Sequence, residues 1–403
     1  MLFSHFARLN YVQFLAAINE NLFKLLAAYF LIEELGEEHT NTIMAIVGAL
    51  FILPFLLFSS VGGVFADRWQ KNRIIWITRI FEACFLFIAL FIFGFHLSYG
   101  AYIILFLMST SGAIFGPSKY GIIPEILPME RILFGNSVIA SFTYLGIIFG
   151  TALSSFAVWY TTKDFFLCLI LTVLFALIGL IISLFLPKTP VENKTKHFPI
   201  FVYSEIWDAL KQMWHIPSLS MATFAFAYLL FLGGFLQLNL IPYAIQHLGL
   251  SDIYGGYFFL SVALGLGCGS YLTDRISRGK IRLGMVPISG LGISAILILM
   301  WFISEPWWLT FVWMIILGFF GGIFLVPPQA FILAASPEKD RGRNFATANF
   351  FSFFCALLAS GALYLLNVLL ALSPANSFFV IAIFNIGIML FMMWRTDWLK
   401  THA

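Results

Sequence analysis

Twelve apolar runs, each long enough to cross a lipid bilayer, limit what this chain can fold into. A spanning helix needs about 20 mostly apolar residues, and in lipid only helices and closed barrels satisfy their own backbone groups. Barrel strands alternate apolar and polar residues, whereas Ile43 to Ala66 is almost continuously apolar. The sequence therefore predicts an all-α membrane protein. The predicted helices are 6–32, 42–66, 73–96, 99–123, 132–160, 164–186, 217–246, 253–273, 282–303, 306–332, 343–370 and 376–396.

The composition excludes several other classes of protein. Charged residues make up 10% of the chain, against about 25% in soluble proteins. The net charge of +3 reflects the basic loops of a membrane topology. It does not indicate a nucleic-acid partner. The four cysteines lack metal-ligand spacing, so we expect packing residues and neither a metal nor a cofactor. They are Cys84, Cys168, Cys268 and Cys355.

Basic residues are concentrated on one side of the predicted topology. Loops on that side carry most of the Lys and Arg, whereas the opposite loops carry Lys163 and a set of acidic residues. Cytoplasmic loops are enriched in Lys and Arg, so both termini are predicted to be cytoplasmic. We expect no cleavable signal peptide, because the first helix carries Glu20 and Lys24 and is too long for one.

Two similar stretches lie about half the chain apart. Asp67-Arg68 and Asp274-Arg275 each end an apolar run and precede a basic cluster. This repetition predicts a duplicated membrane protein. Two further pairs of landmarks repeat at a similar offset, Pro117 with Pro327 and Asn136 with Asn344.

The repetition divides the chain into two six-helix halves, 1–187 and 217–403. The segment 188–216 between them is polar, and its apolar residues recur at helical spacing. We favour a cytoplasmic linker with an amphipathic helix on the inner membrane surface over a linker helix docked on the bundle. Paired six-helix halves are typical of transporters, which bind substrate near the midplane between the repeats.

The repeated stretch resembles the signature of the major facilitator superfamily, which has the form Gly-x-x-x-Asp-Arg-x-Gly-Arg-Lys. Gln70 replaces the later Gly, and Gly269 in the second copy is one residue out of register. The resemblance implies twelve transmembrane helices in two pseudo-symmetric halves and alternating access. The matching residues are Gly63, Asp67 and Arg68, and then Asp274, Arg275 and Lys280.

Asp67 and Asp274, with the adjacent Arg68 and Arg275, are predicted to act in gating. An acidic residue in a basic loop does not help to set orientation. A carboxylate at the inner end of a span can accept hydrogen bonds from a helix N-terminus or an Arg across a closed cytoplasmic gap. The basic residues that follow, such as Lys71, are predicted to set topology only.

Few ionisable residues lie inside the predicted spans, where they are costly and mark functional sites. Glu20 and Lys24 are one turn apart and can pair on one helix face. Arg79 and Glu82 can also pair, and we expect them to hold the third span to a neighbour. Lys119 lies among Gly and Pro residues that open the backbone, and a cation there is predicted to bind phosphate.

The two halves differ in the polarity of their spans. Glu125 in the first half is predicted to cap a helix or to pair with Arg131. The second half carries amides instead of charges, among them Asn239 and Asn385. The predicted cavity is therefore charged on the N-terminal side and apolar and amide-lined on the other.

Two strings resemble bacterial lysophospholipid transporters. They run from Ala17 to Lys24, where an acidic residue precedes Asn21, and from Gly116 to Glu125, which contains a Pro-Ser-Lys-Tyr-Gly-Ile run. Where those transporters carry Asp, this chain has Glu20. The resemblance implies a flippase that moves lysophosphatidylethanolamine and lysophosphatidylglycerol across the inner membrane for re-acylation. The implied substrate-binding residues are Glu20, Asn21, Lys24, Lys119 and Tyr120.

The resemblance also implies partners. Membrane lipids surround the chain, a separate acyltransferase or acyl-carrier-protein synthetase acts on the product, and the transporter is expected to be a monomer. Because the sequence ends at Ala403, we expect no acyltransferase domain in it. No catalytic motif occurs in a plausible context, so an enzyme is not expected. The alternatives are a proton-coupled drug exporter and a non-transporting scaffold that presents lipid to an acyltransferase.

Overall fold

A computed structural model of the chain describes residues 2–128, 131–190, 207–208, 210–211, 213, 215–277, 281–303, 305–336 and 341–395. In these ranges, twelve helices are long and apolar enough to span a membrane, so the predicted all-α fold is confirmed. They are α1 Leu2–Leu35, α2 Thr40–Arg68, α3 Lys71–Gly94, α4 Ser98–Gly121, α5 Ile132–Tyr160, α6 Phe165–Leu184, α7 Pro217–Pro242, α8 Ile253–Ser277, α9 Met285–Phe302, α10 Leu309–Ala335, α11 Arg341–Leu363 and α12 Pro374–Arg395.

The helix ends differ from the predicted ends by a few residues. Apolar runs mark the part of a helix that crosses lipid, whereas backbone hydrogen bonds continue into polar flanks, so α1 extends beyond the predicted 6–32 at both ends. The helices α7 and α11 continue into the π-helical segments Tyr243–His247 and Tyr364–Leu369. A short helix, Ile123–Ile126, follows α4 and was not predicted.

The chain forms two compact units, Met1–Ile200 and Phe201–Ala403. In the first unit α1 packs on α5, α2 on α4, and α3 on α4 and α6. In the second unit α7 packs on α11, α8 on α10, and α9 on α10 and α12. Each pair recurs six helices later, as expected of a duplicated sequence. The predicted amphipathic linker helix lies largely outside the described residues and stays a prediction.

Glycines bring paired helices into backbone contact in both units. A Cβ at Gly62 of α2 would lie 2.9 Å from the Ile114 Cα of α4. A Cβ at Gly269 of α8 would overlap the carbonyl oxygen of Phe319 in α10, whereas Gly63 has no neighbour within 4 Å in the described structure. The close-packed glycine of the first copy is therefore Gly62, the residue before the signature glycine Gly63. Gly62 and Gly269 each stand five residues before the aspartate of their copy, so the two close contacts occupy equivalent positions.

Candidate substrate-binding site

Glu20 lies in the middle of α1, with its side chain partly exposed. Gly150 of α5 packs directly against the α1 backbone at Ile18, since a Cβ at Gly150 would overlap the Ile18 carbonyl oxygen. This close packing fixes α1 beside Glu20. The Glu20 carboxylate lies against Gly112 of α4, whose Cβ, if present, would be 2.5 Å from Glu20 Oε1. Glu20 makes no hydrogen bond or ion pair with any residue that the structure describes. It is therefore a carboxylate inside a span that is open to an additional partner.

Lys24 does not pair with Glu20, so the predicted ion pair on one helix face is wrong. The Lys24 ammonium donates to Asn21 Oδ1 over 3.3 Å and lies 4.6 Å from the centre of the Phe51 ring of α2. The Asn21 amide in turn donates to the Ala17 carbonyl over 2.9 Å. Spacing of four residues permits a pair, but here the two side chains turn toward different helices. Lys24 and Asn21 are both buried.

Lys119 lies in the last turn of α4 and is partly exposed. Its ammonium contacts the Thr143 hydroxyl of α5 at 3.5 Å, and Thr143 donates to Gln13 Oε1 of α1 over 2.8 Å. The aromatic rings of Tyr120 and Phe115 lie 5.0 and 5.8 Å from the ammonium. Lys119 forms no ion pair with the carboxylates in the described ranges. Tyr120 is 44% exposed, so a ligand can contact both the lysine and the neighbouring tyrosine.

A buried ionic cluster joins α1, α3 and α4 beside Glu20. Arg79 and Glu82 form an ion pair with side chains 2% and 3% exposed, as the sequence predicts. Glu82 also accepts a hydrogen bond from Asn19 of α1 over 2.6 Å. The Arg79 guanidinium lies 4.5 Å from the centre of the Phe115 ring of α4. The pair therefore holds the third span to two neighbours, which confirms the predicted structural role.

Glu20 and Lys119 interact through space without touching. The charged groups that act electrostatically on Glu20 are Arg79, Glu82 and Lys119. Glu20 and Arg79 act on Lys119 in the same way. The two groups stand on different helices, so a dipolar or anionic ligand can contact either or both. This arrangement can recognise a charged head group inside the membrane.

A second buried ion pair lies where α3 begins and α4 has just ended. Lys71 Nζ lies 2.5 Å from Glu125 Oε1, and both side chains are largely buried. This partner of Glu125 was not predicted, and the prediction that Lys71 only sets topology is wrong. That Glu125 caps a helix or pairs with Arg131 stays a prediction. The Lys71 backbone N–H donates to the Thr189 hydroxyl over 2.9 Å. These contacts tie the start of α3 to the segments that follow α4 and α6.

The predicted gate lies mostly outside what the structure describes. The side chains of Asp67, Asp274 and Arg275 are not among the described ones, and Asn136 is also excluded. Arg68 is described as the last residue of α2. The gating role assigned to the two Asp-Arg pairs, Asp67-Arg68 and Asp274-Arg275, stays a prediction.

Two amides of the second unit, Asn239 and Asn385, make hydrogen bonds between segments of that unit. Asn239 of α7 donates to the Pro374 carbonyl over 2.9 Å and accepts from Asn367 over 2.8 Å. Asn385 of α12 donates to the Gly290 carbonyl and the Ser294 hydroxyl of α9 over 2.7 and 2.8 Å. Asn239 and Asn385 are fully buried. The predicted amide lining is therefore wrong for these two residues, since their hydrogen bonds hold helices together.

Sequence reasoning missed three residues of the site. Gln13 lies two turns before Glu20 on the same face of α1, and that spacing of seven residues is the signal that could have revealed it. Thr143 contacts Lys119 from another helix, and no local pattern marks it. The Glu20 carboxylate occupies the space that a side chain at Gly112 would fill. The sequence alone does not distinguish such a glycine from one that only packs two helices together.

The fold and the ionic site inside the spans define a membrane transporter architecture, and the comparisons with known proteins agree. The sequence profile of the Major Facilitator Superfamily matches residues 9–357. The chain belongs to the major facilitator superfamily and is a multi-pass membrane protein.

Three curated relatives carry the name lysophospholipid transporter LplT. The protein from Photorhabdus laumondii is 24% identical over 340 residues, covering 83% of this chain and 81% of its own. The protein from Cronobacter sakazakii is 23% identical and covers 95% of this chain and 94% of its own. That from Klebsiella pneumoniae is 23% identical and covers 90% and 88%.

Solved transporters share the fold at low sequence identity. A POT family transporter in complex with 5-aminolevulinic acid superposes with a TM-score of 0.76, 13% identity, and coverage of 98% of this chain and 96% of its own. The nucleoside transporter NupG superposes with a TM-score of 0.71, 14% identity, and coverage of 97% and 98%. These similarities establish the fold alone.

Proposed function

We propose that this protein transports lysophospholipids across the bacterial inner membrane by alternating access. The observation that carries the proposal is the pair Glu20 and Lys119. Each is a charged group inside a span, partly exposed, and without an ion-pair partner in the described structure. Unpaired charges in a membrane are expensive and are retained for a ligand or an ion pathway. The names of the relatives support lysophospholipids as the class of ligand.

The chemistry of a lysophospholipid fits these two groups. Its phosphate suits the Lys119 ammonium, and the ammonium of an ethanolamine head group suits the Glu20 carboxylate. A glycerol head group lacks that ammonium and uses Lys119 alone. The single acyl chain remains in the apolar surroundings of the spans. Head-group recognition in this proposal therefore depends on two charges held on separate helices.

The distribution of basic residues supports the orientation of the chain. With both termini in the cytoplasm, Lys71 and Glu125 lie at the inner end of the first unit, and Lys163 and Glu33 pair at the outer end. Lysophospholipid delivered to the inner leaflet becomes the substrate of a separate acyltransferase. The transporter acts as a monomer.

Lys119→Ala is expected to reduce lysophospholipid transport by about ten- to a hundredfold, because a hydrogen bond to a charged group contributes about 1.5–3 kcal/mol. Lys119→Arg keeps the charge and should retain part of the rate. Flipping of labelled lysophosphatidylethanolamine and lysophosphatidylglycerol in proteoliposomes, with and without ion gradients, measures this. Lys188→Ala is the control, since Lys188 is exposed and outside the spans.

The same assay separates the competing functions. If the purified protein flips neither lipid but its expression protects cells from cationic dyes, the result would support a proton-coupled exporter in which Glu20 carries the proton. Absence of any transport would support a scaffold. Normal transport by Lys119→Ala would place the phosphate contact elsewhere.

Glu20→Gln is expected to weaken transport of the ethanolamine lipid about tenfold and that of the glycerol lipid much less, because only the former offers a cation to the carboxylate. The ratio of the two rates in one preparation gives the answer and cancels differences in reconstitution. Lys24→Gln also replaces a charged side chain with a neutral amide, one turn away on α1, and so provides the comparison. Equal loss for both lipids in Glu20→Gln would remove Glu20 from head-group selection.

A further inference from the structure

We propose that Gly112 is a positioning residue for Glu20, so that the missing side chain at 112 and the long carboxylate at 20 form a size-matched pair. The inference rests on the proposed function, in which Glu20 binds the cationic part of the head group. It adds a residue of α4 that determines where this carboxylate lies. Gly112 itself touches no ligand.

The contact between the two residues is made by the carboxylate end of Glu20. A Cβ at Gly112 would lie 2.5 Å from Oε1, 3.0 Å from Cδ and 3.3 Å from Oε2. These are the three atoms nearest to that position. A methyl group at residue 112 therefore requires the carboxylate to move, since all three of these atoms belong to the end of a flexible side chain.

Both helices are held in place around the contact, so that they do not separate to make room. On α4, Gly62 packs against the Ile114 backbone, and the Ser111 hydroxyl donates to the Thr78 carbonyl of α3 over 3.0 Å. On α1, Gly150 of α5 packs against the Ile18 backbone. The flexible end of the Glu20 side chain is the part that yields. Gly112→Ala should consequently fold and alter the position of the carboxylate.

The length of the acidic side chain compensates for the size of residue 112. Asp at position 20 is one methylene shorter and withdraws its carboxylate from α4. Glu20→Asp should therefore tolerate Ala at position 112 although wild-type Glu20 does not. A purely structural role for Gly112 predicts no such rescue, because the shorter acid leaves the helix contacts of α4 unchanged.

The test compares Gly112→Ala with Gly233→Ala. Gly233 lies inside α7 of the second unit and has no neighbour within 4 Å in the described part of the structure, so both changes have a similar effect on helix propensity. We expect Gly112→Ala to raise the KM for the ethanolamine lipid about tenfold with little change in kcat, the loss expected for a misplaced ionic hydrogen bond. Gly233→Ala should match wild type. Gly112→Ala with Glu20→Asp should recover to within about threefold of Glu20→Asp alone.

A second measurement does not depend on the substrate. A hydrophobic carbodiimide labels carboxyl groups within membranes, and mass spectrometry gives the labelling rate of Glu20. Gly112→Ala should change this rate at least about threefold relative to Gly233→Ala, because the carboxylate enters different surroundings. Equal labelling in the two variants, or a double variant no better than Gly112→Ala, would overturn the pairing. If Gly112→Ala changes the labelling rate while the wild-type protein moves no lysolipid, the proposed function is refuted and the pairing stands.

Discussion

Arg79→Leu is expected to destabilise the first unit by about 3–5 kcal/mol, because it leaves Glu82 buried without its ion-pair partner. Both side chains are almost fully buried, and the pair lies between α1, α3 and α4. In an α-helical unit of this size, such a loss corresponds to a fall of roughly 10 °C in the thermal midpoint. Thermal unfolding of the purified protein in detergent, followed by tryptophan fluorescence or circular dichroism, measures it.

Removal of both charges should restore much of that loss. In Arg79→Leu with Glu82→Leu no uncompensated charge remains, and replacing a buried ion pair with apolar side chains is often neutral. Glu33→Leu is the control, since Glu33 pairs with Lys163 through side chains 49% and 32% exposed, and exposed pairs contribute little. If the double variant melts as low as Arg79→Leu, the network contributes through packing rather than through charge compensation.

Local sequence patterns predicted the fold well and the site only in part. Apolar runs and the repeated Asp-Arg stretches predict helices such as α2 and the duplication, because both depend on residues close together in the chain. Arg79 with Glu82 was predictable for the same reason, since three residues on one helix face are neighbours.

Contacts between helices were not predictable from spacing. Lys71 pairs with Glu125, which follows another span, and Glu20 faces Gly112 on α4 rather than Lys24 on its own helix. Spacing along one helix identifies residues that can meet but does not identify the neighbouring helix that each side chain faces. The orientation of α1 about its axis is set by packing, such as that of Gly150 on Ile18, and one sequence does not reveal this orientation.

The crossing of α8 and α10 in the second unit is built from glycines on both helices. Gly265 and Gly269 are four apart on α8, and Gly318 and Gly322 are four apart on α10. A Cβ at Gly265 would overlap the Ile315 carbonyl oxygen, and one at Gly318 would overlap that of Val262. Small residues spaced four apart allow two helix backbones to approach closely in a membrane.

Gly318→Ala is therefore expected to destabilise the second unit by about 3 kcal/mol or more, because the new methyl group meets backbone that cannot rotate away. Gly321→Ala is the matched control three residues along the same helix, since no atom lies within 4 Å of its Cβ position in the described structure. It should be neutral or slightly stabilising, since Ala is the better helix former. The difference between their thermal midpoints isolates the crossing from the general effect of Gly→Ala.

Combining changes on both helices tests whether one close contact underlies all four glycines. Once Gly318→Ala has separated α8 from α10, Gly265→Ala meets less resistance, so the double variant should lose less than the sum of the single losses. Additive losses would mean that the two positions act independently and that the helices do not move apart as a pair. Gly267→Ala on α8 serves as the second control, because its Cβ would meet no atom within 4 Å in the described residues.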